Sequence, residues 1–179
     1  VYGNAQVYGN AQVYGNAQVY DDAEVSGNAR VSGKARVFGN AQVYGDAQVS
    51  GDARVSGDAW VYGNAQVYGN AQVYDDAQVY GNAQVYDDAE VSGNARVSGD
   101  AEVFGNARVS KKVFTLNFKW NLTLSDLHIA YGCIMKTIPE WIEWLDSNEE
   151  YETKRDSPEF KIIEMSLRLA IEQHKLLNN

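Results

Sequence analysis

From Val1 to Arg108 the chain repeats every six residues, eighteen times, without an insertion or a deletion. No other feature limits the fold as strongly, because a short exact period is the signature of a stacked, quasi-one-dimensional architecture. Valine holds the first position of each hexad through Val109 and alanine every fifth. The second position is Tyr, Phe or Ser, and the third is Gly except at Asp21, Asp75 and Asp87. The fourth is Asn or Asp except Lys34, and the sixth is Gln, Arg, Glu or Trp60. Alternation puts Ala and Val on one face of an extended segment and the sixth and second positions on the other, as a half-buried strand requires. The Gly-Asn or Gly-Asp pair supplies the bend, since these residues tolerate left-handed backbone angles at low cost. The expectation is a four-residue strand and a two-residue corner, repeated into a polygonal solenoid.

This pattern resembles the hexapeptide repeat of left-handed parallel β-helices, in which an aliphatic residue and a small residue two positions earlier point inward. The resemblance covers about three fifths of the chain. It implies three hexads per coil, and so an all-β, left-handed, three-sided parallel β-helix of about six coils over residues 1–110. Residues eighteen apart would stack at ~4.8 Å, giving a column ~29 Å long. Stacked Val and Ala columns would carry its stability, each fully buried valine contributing roughly 1.5 kcal/mol or more.

Stacking by eighteen sorts the outward residues into three faces, each with an aromatic run: Tyr2, Tyr20 and Phe38; Tyr44, Tyr62 and Tyr80; Tyr68, Tyr86 and Phe104. Such ladders stabilise a sheet through cross-strand pairing. Trp60 falls beside the second run, so Trp60, Tyr44, Tyr62 and Tyr80 form a candidate docking patch. One corner collects Asp21, Asp22, Asp58, Asp75 and Asp76. Turn chemistry explains Asp there, and an acidic edge facing a basic, nucleic-acid-binding protein is the sharper reading. The segment VYDDAEVSGNARVSG occurs at 19–33 and again at 85–99, an offset of eleven hexads. Eleven is not a multiple of three, so the two copies are expected on different faces, which argues against a ligand row bound to one face.

Many left-handed β-helix proteins are acyltransferases or carbonic anhydrases, and the resemblance therefore raises an enzyme reading. Those acyltransferases use a histidine base between subunits and a loop that interrupts the coils; those anhydrases hold zinc through three histidines. Here the repeats contain no histidine, no cysteine and no interrupting loop. Nothing in them can act as a base near neutral pH or hold zinc. The expectation is that the chain is not an enzyme and takes neither a cofactor nor a metal.

A net charge of −9 disfavours direct nucleic-acid binding. Thirteen acidic and eight basic residues fall in 1–112, and eleven and seven in 113–179, so neither part is a basic arm. Cys133, the only cysteine, cannot form an intrachain disulfide and is expected as a small buried apolar residue. No apolar run approaches the ~20 residues that span a bilayer. The chain reads as cytoplasmic, with no membrane contact.

After the repeats the period changes, and residues 111–179 read as a small α+β unit. Phe114, Leu116, Phe118 and Trp120 alternate with polar residues, and a meander of two or three strands is expected. Thr137 to Glu140 forms a capping box opening a helix with Trp141, Ile142, Trp144 and Leu145. Ser157-Pro158 starts a second helix with Phe160, Ile163, Leu167, Ala170, Ile171 and Leu177 along an apolar stripe, and with His174 expected at its solvent face. The order of hexapeptide array, short strands around Gly132-Cys133, Thr-capped helix and final helix resembles hexapeptide-repeat proteins of phage and prophage genomes, for which no activity is established.

The unit is expected to cap the solenoid, to oligomerise, or to bind a protein partner through Trp120, Trp141 and Trp144. The functional expectation is a phage-related, non-enzymatic scaffold acting through protein contacts, with another protein or a second copy of itself as the partner. Its alternatives are an acidic, phosphate-mimicking inhibitor of a host defence or nucleic-acid enzyme, and a degenerate acyltransferase.

Overall fold

The computed structural model describes residues 1–110, 114–117, 121–147, 149–150 and 153–178. Each hexad contributes one short strand, from β1 (Gln6–Val7) to β18 (Arg108–Val109), and every third strand is a neighbour. Three parallel six-stranded sheets result, a three-sided solenoid of about six coils. The register is offset by eighteen throughout, as in Gln6 with Glu24 and Val7 with Val25. The two copies of the duplicated segment lie in different sheets: Glu24 pairs with Gln42, and Glu90 with Gln72.

The strands are shorter than the four residues expected. Only the sixth and first positions form a regular ladder, because the chain bends at its flanks. Hydrogen bonding continues round the corners all the same: the Tyr8 amide donates to the Val25 carbonyl at 3.1 Å and the Asn10 amide to Gly27 at 2.8 Å. Few backbone groups between coils are left to water, which is how a strand of two residues survives. From Val19 to Val109 the Val and Ala columns are buried in one continuous core. In the first coil Ala5, Val7, Ala11, Val13 and Ala17 are only partly covered.

The corners hold two kinds of chemistry. Third-position residues take positive φ, and Asp21, Asp75 and Asp87 do so at 58–61° without being glycine. Each offsets that strain by accepting the backbone N–H one coil on, Asp21 from Gly39 at 3.2 Å and Asp75 from Gly93 at 3.2 Å. Fourth-position amides form directed rows, Asn10 to Asn28 to Asp46 and Asn64 to Asn82 to Asp100, at 3.0–3.2 Å.

Beyond the solenoid lie four antiparallel strands, one or two more than expected: β19 (Phe114–Asn117), β20 (Asn121–Leu124), β21 (His128–Tyr131) and β22 (Ile134–Thr137). Helices α1 (Ile138–Asp146) and α2 (Pro158–Asn178) follow. The capping box is present: Glu140 accepts from the Thr137 amide at 2.7 Å while its own amide donates to the Thr137 hydroxyl. Ser157 caps α2 through the Phe160 amide at 3.1 Å. Leu122, Ile129, Trp141, Trp144, Phe160, Ile163 and Leu167 build a second core.

This unit closes the last coil with side chains and one backbone amide where a seventh coil would have placed its strands. The Thr123 hydroxyl accepts the Glu102 amide at 3.2 Å. The Asp126 amide donates to Arg108 O at 3.0 Å, and its carboxylate takes the Ser110 amide and hydroxyl at 2.8 and 2.6 Å. Met135 packs on the end of the valine core. These contacts satisfy the polar groups and apolar surface that an open coil end exposes.

Candidate functional site

Trp60 lies in the strand Trp60–Val61, between Gln42 and Gln78 in the first sheet. Its ring is 40% exposed, while Tyr44, Tyr62 and Tyr80, in the next outward column of that sheet, are half-buried. They stack in succession at 4.9 and 5.0 Å with planes within 5°. The four residues expected to form a patch therefore share one face. Stacking hides the ring faces and leaves ring edges outward, so Trp60 offers the largest exposed aromatic surface of the group.

Burial raises the Tyr44 hydroxyl above the ordinary phenol range. Tyr62 rises for the same reason, with its stacked neighbours adding to the effect. On another face Tyr68 and Tyr86 are raised too, again chiefly by burial and then by the Glu102 carboxylate, which accepts from Tyr86 at 3.2 Å. Tyr68 and Tyr86 donate their hydroxyls, to Gln84 and Glu102 respectively, each at 3.2 Å.

The five aspartates share one corner column, and four of them accept hydrogen bonds from neighbouring coils. Asp22 and Asp58 accept side-chain amides from Asn4 and Asn40, each at 2.9 Å, and Asp21 and Asp75 hold the backbone bonds given above. Asp76 follows Asp58 in the same column. Among the described residues no cluster of His, Cys, Asp or Glu is arranged to hold a metal.

In the C-terminal unit Trp141 is 1% and Trp144 3% exposed. Trp141 donates its indole N–H to Ile129 O at 2.7 Å and meets Trp144 edge to face at 5.4 Å. Neither presents a surface for a partner; both belong to the core. Trp120 lies outside the described residues. Arg155 stacks over Trp144 and Phe160 at 5.0 and 4.8 Å, and its guanidinium donates to the carbonyls of Trp144 and Leu145 in the last turn of α1 and of Glu149 beyond it.

Two further expectations are corrected. Cys133 is exposed, because it sits at the tip of the two-residue turn between β21 and β22, where Gly132 takes φ 58°. His174 is half-buried, because its ring meets Asp126 O at 2.7 Å and ties α2 to the junction with the solenoid.

A surface that the sequence reading missed runs along α2. Ile162, Met165, Leu169 and Leu176 are all exposed, Met165 at 72%. Their spacing of three, four and seven places them on one side of the helix, away from Phe160, Ile163, Leu167 and Ile171 in the core. The signal was present as a second, interleaved helical period. The expected stripe of Phe160, Ile163, Leu167, Ala170, Ile171 and Leu177 leaves it out. Among the described residues no helix is long and apolar enough to cross a membrane.

Comparison with known proteins returns a family and a fold. The family described as YdcK Beta solenoid repeat matches at 5–21, 17–33, 23–39, 29–45, 47–63, 65–81, 71–87 and 83–99, together just over half of the chain. A solved structure of a mutant perosamine N-acetyltransferase from Caulobacter crescentus, in complex with CoA and GDP-perosamine, is similar with a TM-score of 0.55 at 14% identity. The similarity covers 63% of this chain and 53% of that one, so the chain spans about half the length of that enzyme. At this identity the likeness is one of fold. No curated protein sequence matches. With its hexad register, three parallel sheets and unbroken Val and Ala core, the chain belongs to the YdcK β-solenoid repeat family.

Proposed function

We propose that this chain is a non-enzymatic scaffold whose C-terminal unit makes a protein–protein contact and whose solenoid is a rigid spacer. The observation that carries the reading is the outer stripe of α2, where Ile162, Met165, Leu169 and Leu176 lie exposed on a helix already packed on its other side. An apolar helix face of this kind is stabilised when a second helix or groove covers it. A second copy of the chain is the simplest occupant, since an isologous pair needs only the one patch. Trp60 and its tyrosine ladder give the solenoid a second surface for a partner.

The test is the mass of the full chain by light scattering, alone and with Met165→Lys and Leu169→Lys combined. The parent is expected as a discrete oligomer and the double variant as a monomer with unchanged circular dichroism. A parent that is monomeric at high concentration sinks self-association. If the same double variant also keeps every partner that the parent captures, the stripe has no binding role.

A second reading, acyl transfer, draws on the fold shared with an acetyltransferase that binds CoA. Against it stands a repeat array with no histidine to serve as base. Thermal stabilisation by CoA or acetyl-CoA at millimolar concentration would favour it over the scaffold.

A further inference from the structure

The aromatic column of the third sheet is interrupted by one serine. Tyr20 and Phe38 stack at 4.9 Å with planes 1° apart. The next coil places Ser56 in that column, and the coil after it Tyr74. Phe38 and Tyr74 therefore face one another across two interstrand spacings, about 9.6 Å. That gap admits one planar ring at the separation the ladder itself uses. The structure holds a recess of about 270 Å³ there, lined by Phe38, Arg54, Ser56, Gln72, Tyr74 and Asp75.

The ends of the recess differ in charge. Arg54 stands two residues before Ser56 on the same strand side, and Arg36 pairs with it in register one coil earlier. Neither guanidinium takes part in the ion pairs formed among the described residues, which are Lys34–Asp52, Arg108–Glu90, Arg168–Glu164 and Lys175–Glu172. Like charges side by side on a sheet repel, and an anion between them gains from both. At the corner end stands the Asp75 carboxylate, with Oδ2 on the Gly93 amide at 3.2 Å and acceptor capacity left over. A second single-serine gap, at Ser26 between Tyr8 and Tyr44, differs in this respect. There the adjacent outward side chain is Glu24, which already accepts from the Tyr8 hydroxyl at 3.3 Å.

We propose that the Ser56 gap binds a small aromatic acid, its ring stacked between Phe38 and Tyr74, its anionic group on Arg54 and Arg36, and a donor group directed to Asp75. The ring would complete the ladder, the guanidiniums would gain a counter-charge, and both ends of the ligand would be read. This site lies on the solenoid and not on α2, so it stands or falls separately from the contact proposed above.

The probe is 4-hydroxybenzoate, titrated into the full chain by calorimetry and by saturation-transfer NMR, with benzoate and phenol beside it. Saturable binding is expected for 4-hydroxybenzoate, weaker for benzoate, and about tenfold weaker for phenol, the scale of one charge-assisted contact. Ser56→Tyr fills the gap with a residue that the second position already carries in other coils, so the fold tolerates it. It is expected to abolish binding and to raise the melting temperature. Arg54→Gln should weaken the acids about tenfold and leave phenol unchanged. The proposal is overturned if the parent shows no saturable binding, if phenol binds as tightly as the acid, or if Ser56→Tyr binds like the parent.

Discussion

Asn40 donates its side-chain amide to the carboxylate of Asp58 one coil later, at 2.9 Å. The same direction holds in every such bond between fourth-position residues, from the earlier coil to the later. A carboxylate only accepts, so an aspartate suits a place that follows a donor and ends a run. Asp22, Asp46, Asp58, Asp88 and Asp100 each follow an asparagine, and Asp52 follows Lys34 at 4.0 Å. Asp76 breaks the rule, because Asp58 precedes it. Asp76→Asn is therefore expected to stabilise the solenoid by about 0.5–1 kcal/mol, through relief of like-charge repulsion and a new amide donor. Asn40→Asp should destabilise by a similar amount. Urea unfolding midpoints of both variants check the sign of each change.

Glycine at the third position answers two demands that a pair of variants separates. A Cβ on Gly51 would lie 2.9 Å from Gly69 O and 3.0 Å from Gly69 N, whereas one on Gly99 meets nothing within 4 Å. Both have positive φ, 70° and 66°. Gly99→Ala should cost only the backbone strain, about 1 kcal/mol. Gly51→Ala should cost at least about 1 kcal/mol more, because backbone on both sides of the clash cannot move aside. Equal losses in chemical denaturation would show that coil spacing at the corner does not limit side-chain size.

The phenols of Tyr44, Tyr62, Tyr68 and Tyr86 are raised in the folded state, first of all by burial. Their stabilising contribution is complete below the unfolded phenol value, about 10, and is lost as pH climbs from there through the raised folded values. The urea midpoint should thus fall between about pH 9.5 and 11.5, with phenolate absorbance lagging behind that of the denatured chain. On the acid side Glu140 is held below the ordinary carboxylate range by the Thr137 hydroxyl. Its contribution to α1 is present above that ordinary range and is lost as pH falls through the depressed value. Glu140→Gln should flatten this acid limb without altering the alkaline one.

Arg155 joins the end of α1 to the start of α2 by carbonyl bonds and by stacking on two rings. Lysine keeps the charge but lacks the planar fork. Arg155→Lys is expected to destabilise the C-terminal unit by about 2 kcal/mol, with the solenoid unaffected. Amide hydrogen exchange resolves the two regions: protection should drop in α1 and α2 while the valine columns keep theirs.

The solenoid was legible because its determinants are local. A hexad with Val, Ala and a Gly-Asn corner states its inward face, its bend and its period within six residues, and the three-face sorting of Tyr44, Tyr62 and Tyr80 follows by counting. Asp at the third position was equally readable, since its turn chemistry matches that of glycine. The junction was not. That the Thr123 hydroxyl would stand in for a backbone carbonyl, or that Asp126 would seal Arg108 and Ser110, depends on where an unrelated sheet lands. Cys133 deceived because residue type predicts burial only on average, and a two-residue turn overrides it. The Ser56 recess depends on what its neighbours eighteen residues away present, a relation that reading serine as a mere polar variant of tyrosine conceals.

The repeated segment that carries Glu24 in one sheet carries Glu90 in another. With three strands to a coil, gaining or losing a single hexad turns everything downstream by a third of a revolution about the column axis. The number of hexads thus sets an azimuth as well as a length. A change of three hexads would lengthen the column and keep Trp60 and the α2 stripe in phase. A change of one would swing the stripe to another side and re-pair only the coils on either side of the change, so relatives with different counts can aim the same terminal surface in three directions.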